Sequence, residues 1–224
     1  MPQQLPQLLA SRGTTMLTAS DQELLSILSL CAQVASLSQA ARICGLPSES
    51  ASIFSRLQRL EKIDFIGHTK SVEVEMPPLL EPLVNWQPGQ WVPDFGPVVW
   101  QLQKRWHVPR RPLHLFFVTP RAARLFGGRR KGRPSRLGQI SHDLGVTEMF
   151  LSVKWRHPEL VEYWVDEARL AAFRRGQKLP DAMLAKTPSA TPIRVLEFGG
   201  HYGKKRLQAF HHDCERRGSP YEIW

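Results

Sequence analysis

Eight prolines crowd residues 77–112: Pro77, Pro78, Pro82, Pro88, Pro93, Pro97, Pro109 and Pro112. Each fixes φ and lacks an amide donor, so no long helix or inner strand can run through this stretch, except around Val98–Trp106. The 224-residue chain is thereby divided into a leading and a following part. Its length suits one large domain or two small ones. The divider is no ordinary spacer, because it carries Trp86, Trp91, Trp100 and Trp106. Large aromatics are mostly buried, so packing across the two parts is expected of them. Beside Lys104, Arg105, Arg110 and Arg111 they could instead stack on nucleic-acid bases.

The leading part reads as helices. Residues 1–19 form a polar arm. Ser20 with Glu23 has capping-box spacing, and Leu24, Ile27, Leu28, Cys31 and Val34 repeat at helical period, predicting a helix from Asp21 to Ala35. A second helix spans Ser38 to Cys44 and stops at Gly45, and Ser48 caps a third that reaches Lys62. On the third, Ile53, Leu57 and Leu60 face inward, while Ser52, Ser55, Arg56 and Arg59 face out, in a pattern suited to phosphates and base edges of a major groove. Phe65–His68 and Val72–Met76 then read as a two-stranded wing with Lys70 at its tip. With Gln39-Ala40-Ala41-Arg42-Ile43-Cys44-Gly45-Leu46 as a helix-turn-helix signal, residues 20–76 resemble the winged helix-turn-helix domains of bacterial regulators. The alternative is a three-helix packing or dimerisation module.

Charge is concentrated rather than spread. Residues 1–76 carry a net of −1, residues 77–140 a net of +9 and residues 141–224 a net of +2. A localised positive field attracts a polyanion, and DNA is the expected one. Much of the surplus lies in the loop 129–136, where Arg129, Arg130, Lys131, Arg133 and Arg136 are interrupted by Gly and Pro; phosphate contact is its natural use, against a merely solvated loop. No run of eighteen apolar residues and no secretory leader is read, so a cytoplasmic protein without a membrane partner is expected. Cys31, Cys44 and Cys214 fit no metal spacing and read as small core residues.

Residues 113–224 alternate strand and helix: a strand at Leu113–Val118, a helix over Gln139–Val153, strands from Val161, over Lys178–Leu184 and over Ile193–Phe198, a helix over Lys204–Arg217 and a last strand at Tyr221–Trp224. This predicts an α/β sandwich, and α+β for the whole chain. Two of the strands deliver acids, Asp181 after Leu179-Pro180 and Glu197 within Val195-Leu196-Glu197-Phe198-Gly199. The order and the acids resemble the restriction-endonuclease-like, PD-(D/E)xK, superfamily. More narrowly, His142-Asp143-Leu144-Gly145-Val146-Thr147, Trp164 with Glu167, Leu179-Pro180-Asp181-Ala182 and Leu196-Glu197 resemble the replication-relaxation family of plasmids and other mobile elements.

The resemblance implies a DNA-binding protein of a mobile element, acting in replication, transposition or transcriptional control. Duplex DNA is its expected partner, with a protein of the same element or a second copy of the chain as further ones. It also implies a Mg²⁺ site at Asp181 and Glu197, with Glu167 as a third ligand. The superfamily's lysine does not match, because Gly199 holds its place; Lys204 or Lys205 would have to substitute. The core is therefore expected to bind rather than cut, and no cofactor is assigned unless it is active. A Mg²⁺-dependent endonuclease with a displaced lysine and an adaptor that binds a partner protein are the alternatives. The bland readings are a turn or cap for Asp181, a buried partner of Arg194 for Glu197 and a satisfied core histidine for His142. His201, His211, His212, Asp213 and Cys214 lack the spacing of a zinc site.

Overall fold

The computed structural model describes residues 16–47, 50–128, 132, 139–174 and 178–224. The loop cations Arg129, Arg130, Lys131, Arg133 and Arg136, and the expected cap Ser48, lie outside the described residues. The fold is α+β. Helix α1 (Ala19–Leu30) starts two residues earlier than expected from Ser20: Thr18 is its cap, accepting from the Asp21 amide at 3.2 Å while Asp21 accepts from the Thr18 amide at 2.8 Å. It also ends before Ala35, because Ala35–Ser36 form the short strand β1. Helix α2 (Leu37–Ile43) is boxed by Ser36 and Gln39, and Gly45 at φ 66° turns the chain out of it. Helix α3 (Ala51–Lys62) buries Ile53, Leu57 and Leu60, as their spacing predicts.

The hairpin wing is not formed. Strand β2 (Ile66–Glu73) runs unbroken through Thr69-Lys70-Ser71, so Lys70 sits mid-strand, opposite His114, rather than at a tip. A two-residue hairpin turn needs residues at ease with positive φ, and Thr-Lys-Ser supplies none. The partner of β2 is instead β4 (Arg111–Val118), antiparallel over its full length, and β1 pairs on the other side of β4 to give the order β1-β4-β2. Gly67 is required there, because a Cβ would fall 2.4 Å from the Phe117 ring.

Between β2 and β4 the chain makes the proline-rich excursion, and it does not stay in the first sheet. Strand β3 (Val84–Trp86) and helix α4 (Phe95–Trp106) join the second sheet, ordered β3-β8-β7-β6-β5. Boundaries at residues 76 and 113 therefore do not separate the two sheets: β4 belongs to the first and β3 to the second. After α5 (Pro120–Leu125) and α6 (Ile140–Arg156), a 3₁₀ turn over Pro158–Tyr163 replaces the start of the strand expected from Val161. The antiparallel strands β5 (Trp164–Asp166), β6 (Ala182–Leu184) and β7 (Arg194–Glu197) follow, with α7 (Glu167–Ala171) after β5. Helix α8 (Lys204–Arg216) then carries the chain to β8 (Tyr221–Ile223), parallel to β7.

The pleat of this sheet sorts its side chains into two cores. Val165, Met183, Val195, Tyr221 and Ile223 pack with Phe95, Val98 and Leu102 of α4 and Leu207, Phe210 and Cys214 of α8. Trp164, Ala182, Leu184, Leu196, Phe198 and Trp224 point the other way, to Met149, Phe150 and Val153 of α6 and on to the first sheet's helices in one continuous core. The seam between the halves is also polar. Gln39 donates to the Leu144 carbonyl (2.8 Å) and to Glu148 (2.9 Å), Arg42 pairs with buried Glu148 at 2.5 Å, and the Thr147 hydroxyl donates to the Val34 carbonyl at 2.6 Å. Helix α6 comes close enough to β7 only because residue 145 is glycine; a Cβ there would lie 2.0 Å from the Phe198 ring.

Asp21 ties the leading helices together. Its buried carboxylate takes the Thr18 amide, Arg56 at 3.2 Å and Arg59, so the third helix is pinned to the first. Burial works against this charge, but the Thr18 amide and hydroxyl and the guanidiniums of Arg59 and Arg56 outweigh it, holding the carboxyl below its ordinary value. Its stabilisation is therefore full above the unfolded carboxyl range and lost as pH falls through the lowered value. We expect Asp21→Ala to destabilise the protein by about 2 kcal/mol, after discounting the ion pairs for the partial exposure of both arginines. Urea unfolding at pH 7 and below pH 3 checks this, since the difference between variant and wild type should shrink in acid.

Candidate functional site

A cavity of about 560 Å³ lies where the two sheets meet, lined by the end of β2, the start of α6 and the mouths of β6, β7 and α8. It brings together Glu167, Asp181 and Glu197, the three acids singled out from sequence. Asp181 sits just before β6, Glu197 closes β7, and Glu167 opens α7. Pairing of β6 with β7 sets Ala182 opposite Leu196, which places the two acids at the same end of the ladder.

Each acid is engaged in a way that weakens the metal reading. One Asp181 oxygen accepts from the Phe198 amide at 2.7 Å, and the other faces Nε2 of His142 at 3.4 Å. Glu197 is buried and accepts from the Tyr202 hydroxyl at 2.9 Å, and its other oxygen, Oε2, has no hydrogen-bond partner among the described residues. Burial, then the charge of Asp181, pushes its carboxyl up to about 8. Glu167 is also raised, by burial and then by Asp181. Among the described residues no three His, Cys, Asp or Glu side chains converge as a metal site, Glu167 included. An orphan oxygen alone could welcome a cation, but a carboxylate already bonded to an amide and no third ligand among the described residues do not fit Mg²⁺.

The missing lysine has a physical cause. A Cβ on Gly199 would fall 2.4 Å from a methyl of Leu102, and the Gly199 carbonyl accepts from the Trp106 indole at 3.3 Å. Helix α4 thus fills the place where a lysine stem would start. Lys204 and Lys205 do not substitute, being exposed at the start of α8 and absent from the cavity wall. The cation that does reach the wall is Arg206, which donates to the Tyr202 hydroxyl at 2.9 Å and lies 3.8 Å from the centre of its ring.

Sequence reasoning missed Arg206, Tyr202, Arg110, Trp106 and Glu73 at this cavity. The i, i+4 spacing of Tyr202 and Arg206 across the start of α8 was a usable signal; Arg110 and Glu73 had none, since the β2–β4 pairing brings them in. Glu73 is already satisfied by the hydroxyls of Ser71 (2.5 Å) and Ser141 (2.6 Å). His142 is no inert core residue: it lines the cavity, and although burial opposes its charge, Asp143 and Asp181 push the imidazole up to about 10. Arg194 pairs with Glu222, not with Glu197. Cys44 and Cys214 are buried, which pushes their thiols up to about 11 and about 12.

The residues expected to meet DNA are arranged less uniformly. Ser52 and Ser55 are exposed on α3, and Lys70 is exposed on β2. Arg56 and Arg59, expected to face DNA, are drawn back to Asp21. Of the four tryptophans in the excursion, Trp86 is buried on β3 and Trp106 is half-buried, whereas Trp91 and Trp100 are exposed, against the packing expectation. No helix among the described residues is long and apolar enough to cross a membrane. No family model, curated protein or solved structure matches the chain.

Two outcomes follow from this geometry. Gly199→Ala should destabilise by about 1–3 kcal/mol through overpacking, and in a Leu102→Ala background that penalty should vanish, as a double-mutant cycle by chemical denaturation would register. Because the Glu197 carboxyl lies at about 8 against an ordinary 4.5, its contribution is full below the unfolded value and declines as pH rises through the folded one. Glu197→Gln should flatten the fall in stability between about pH 4.5 and pH 8; an unchanged slope would rule out this titration.

Proposed function

We propose that this is a DNA-binding protein of a mobile genetic element, in which a winged helix-turn-helix is coupled to a restriction-endonuclease-like core that binds rather than cuts. Three helices followed by an antiparallel ladder support the winged-helix reading, with the excursion from β2 to β4 standing where a wing would be. A helix, three antiparallel strands, a helix and a parallel strand, with acids at the ends of the middle pair, support the nuclease-like reading. The observation that carries DNA binding is the bare outer face of α3, where Ser52, Ser55 and Gln58 are exposed, in a chain whose central segment holds a net of +9.

The bias toward binding rests on Gly199 under Leu102 and on the lack of a third metal ligand beside Asp181 and Glu197 among the described residues. Arg56 and Arg59 contribute mainly by fixing α3 to α1, so groove contact falls to the small hydroxyls and phosphate contact to the central cations. The process, whether replication, transposition or transcriptional control, follows from the family resemblance rather than from any one residue.

Duplex binding should be strongly salt-dependent, log K falling against log salt by about 0.9 per phosphate neutralised. Anisotropy titration of a labelled duplex measures this, with Ser52→Glu and Ser55→Glu each weakening binding by about tenfold or more through repulsion of phosphates. A slope near zero overturns the reading. Supercoiled DNA with Mg²⁺ or Mn²⁺ should stay intact; nicking that disappears in Asp181→Ala and Glu197→Ala would establish the endonuclease alternative instead.

A further inference from the structure

The excursion that completes the second sheet also leaves two indoles in water. Trp91 is 96% exposed, and Trp100 on α4 is 62% exposed. Helix α4 packs through Phe95, Val98 and Leu102, so Trp100 stands on the side opposite its buried stripe. Scattered apolar residues on a surface are ordinary, but these two have company that isolated ones lack. Lys104, one turn after Trp100, holds its ammonium 5.1 Å from the indole centre, covering one face of the ring and leaving the other open. Arg110 is exposed at the end of the same excursion and lines the cavity mouth with Trp106, His201 and Arg206. Residues 87–112 hold the single acid Asp94; of their four cations, Arg105 is half-buried over the Phe198 ring and Arg111 pairs with Glu75, which leaves Lys104 and Arg110 exposed.

We propose that the exposed indoles of this excursion, Trp91 and Trp100, with Lys104 beside Trp100, bind single-stranded nucleic acid. Exposed indoles offer bases a stacking platform that is indifferent to sequence, and neighbouring cations track the backbone; together these are the two ingredients of single-strand binding. Duplex DNA cannot use the indoles, because its bases are stacked on each other. A purely protein-docking face is disfavoured by the cation over Trp100 and by the positive balance of the segment, which select a polyanion. The surface is separate from α3, so it extends the duplex reading without depending on it. A protein that grips a duplex through one element and an opened strand through another would be suited to DNA that is being unwound.

The test uses the full-length protein and two probes, a fluorescein-labelled oligothymidylate and a labelled duplex, followed by anisotropy and by quenching of tryptophan emission. Wild type should bind oligothymidylate with quenching and with a salt slope near 0.7 per phosphate neutralised. Trp91→Ala/Trp100→Ala should weaken oligothymidylate binding by about tenfold or more while leaving duplex affinity unchanged. Trp100→Phe, which keeps a ring, should retain part of the affinity, and Lys104→Gln should lower the salt slope. Both indoles are exposed, so an unchanged circular dichroism spectrum is expected of the variants. Oligothymidylate binding equal in wild type and double variant overturns the proposal, as does duplex binding with no single-strand binding. Self-association lost in the double variant with oligothymidylate affinity intact would reassign the face to protein docking and also overturn it. Duplex binding lost in the double variant with oligothymidylate affinity intact overturns it too, whereas a wild type that binds oligothymidylate through the indoles but no duplex supports this surface and counts against α3.

Discussion

The antiparallel ladder between β2 and β4 decides where everything else goes. Both strands belong to one sheet, so the chain between them must leave that sheet and return to it. The excursion spends its length on the second sheet, giving it an edge strand at Val84–Trp86 and a covering helix at Phe95–Trp106. Helix α4 in turn sets Leu102 against Gly199 and Trp106 on the Gly199 carbonyl, closing the place of a lysine. The same ladder carries Glu73 and Arg110 to the cavity where Asp181 and Glu197 meet. One pairing thus fixes both the architecture and the chemical character of the candidate site.

Around that cavity, burial and close pairing set the electrostatics. Burial raises the Glu197 carboxyl, Tyr202 donates to it and is itself held by Arg206, and Asp143 and Asp181 raise the His142 imidazole against its burial. The acids and cations come close to balancing within the pocket, so the surplus charge acts at the rim and along the excursion rather than at a catalytic centre.

Local structure was largely legible in the sequence. Helical spacing identified the buried stripe of Ile53, Leu57 and Leu60, and the strand–strand–helix–strand order around Asp181 and Glu197 emerged with boundaries displaced by a few residues. What could not be read was partnership. Thr69-Lys70-Ser71 looked like a turn because strands on both sides lacked a visible mate, and the mate proved to be Leu113–Val118, beyond the prolines. Arg56 and Arg59 looked outward because helical periodicity assigns a face but cannot reveal a buried carboxylate on a neighbouring helix. Glycine at position 199 marked the absence of a lysine, yet only the packing of Leu102 explains it.

Strand β3 pairs with β8 alone, so Val84–Trp86 waits for Tyr221–Ile223 before its edge is matched. During synthesis the ribosome delivers β3 long before its partner, and the first sheet can close around an excursion that still has nowhere to dock. Non-local pairing of this kind is slow, and an unmatched strand flanked by apolar residues is a template for association with other chains. The interleaving therefore makes the nascent chain dependent on shelter, and a cut between β3 and β4 would yield two fragments, one lacking a strand of the first sheet and the other a strand of the second.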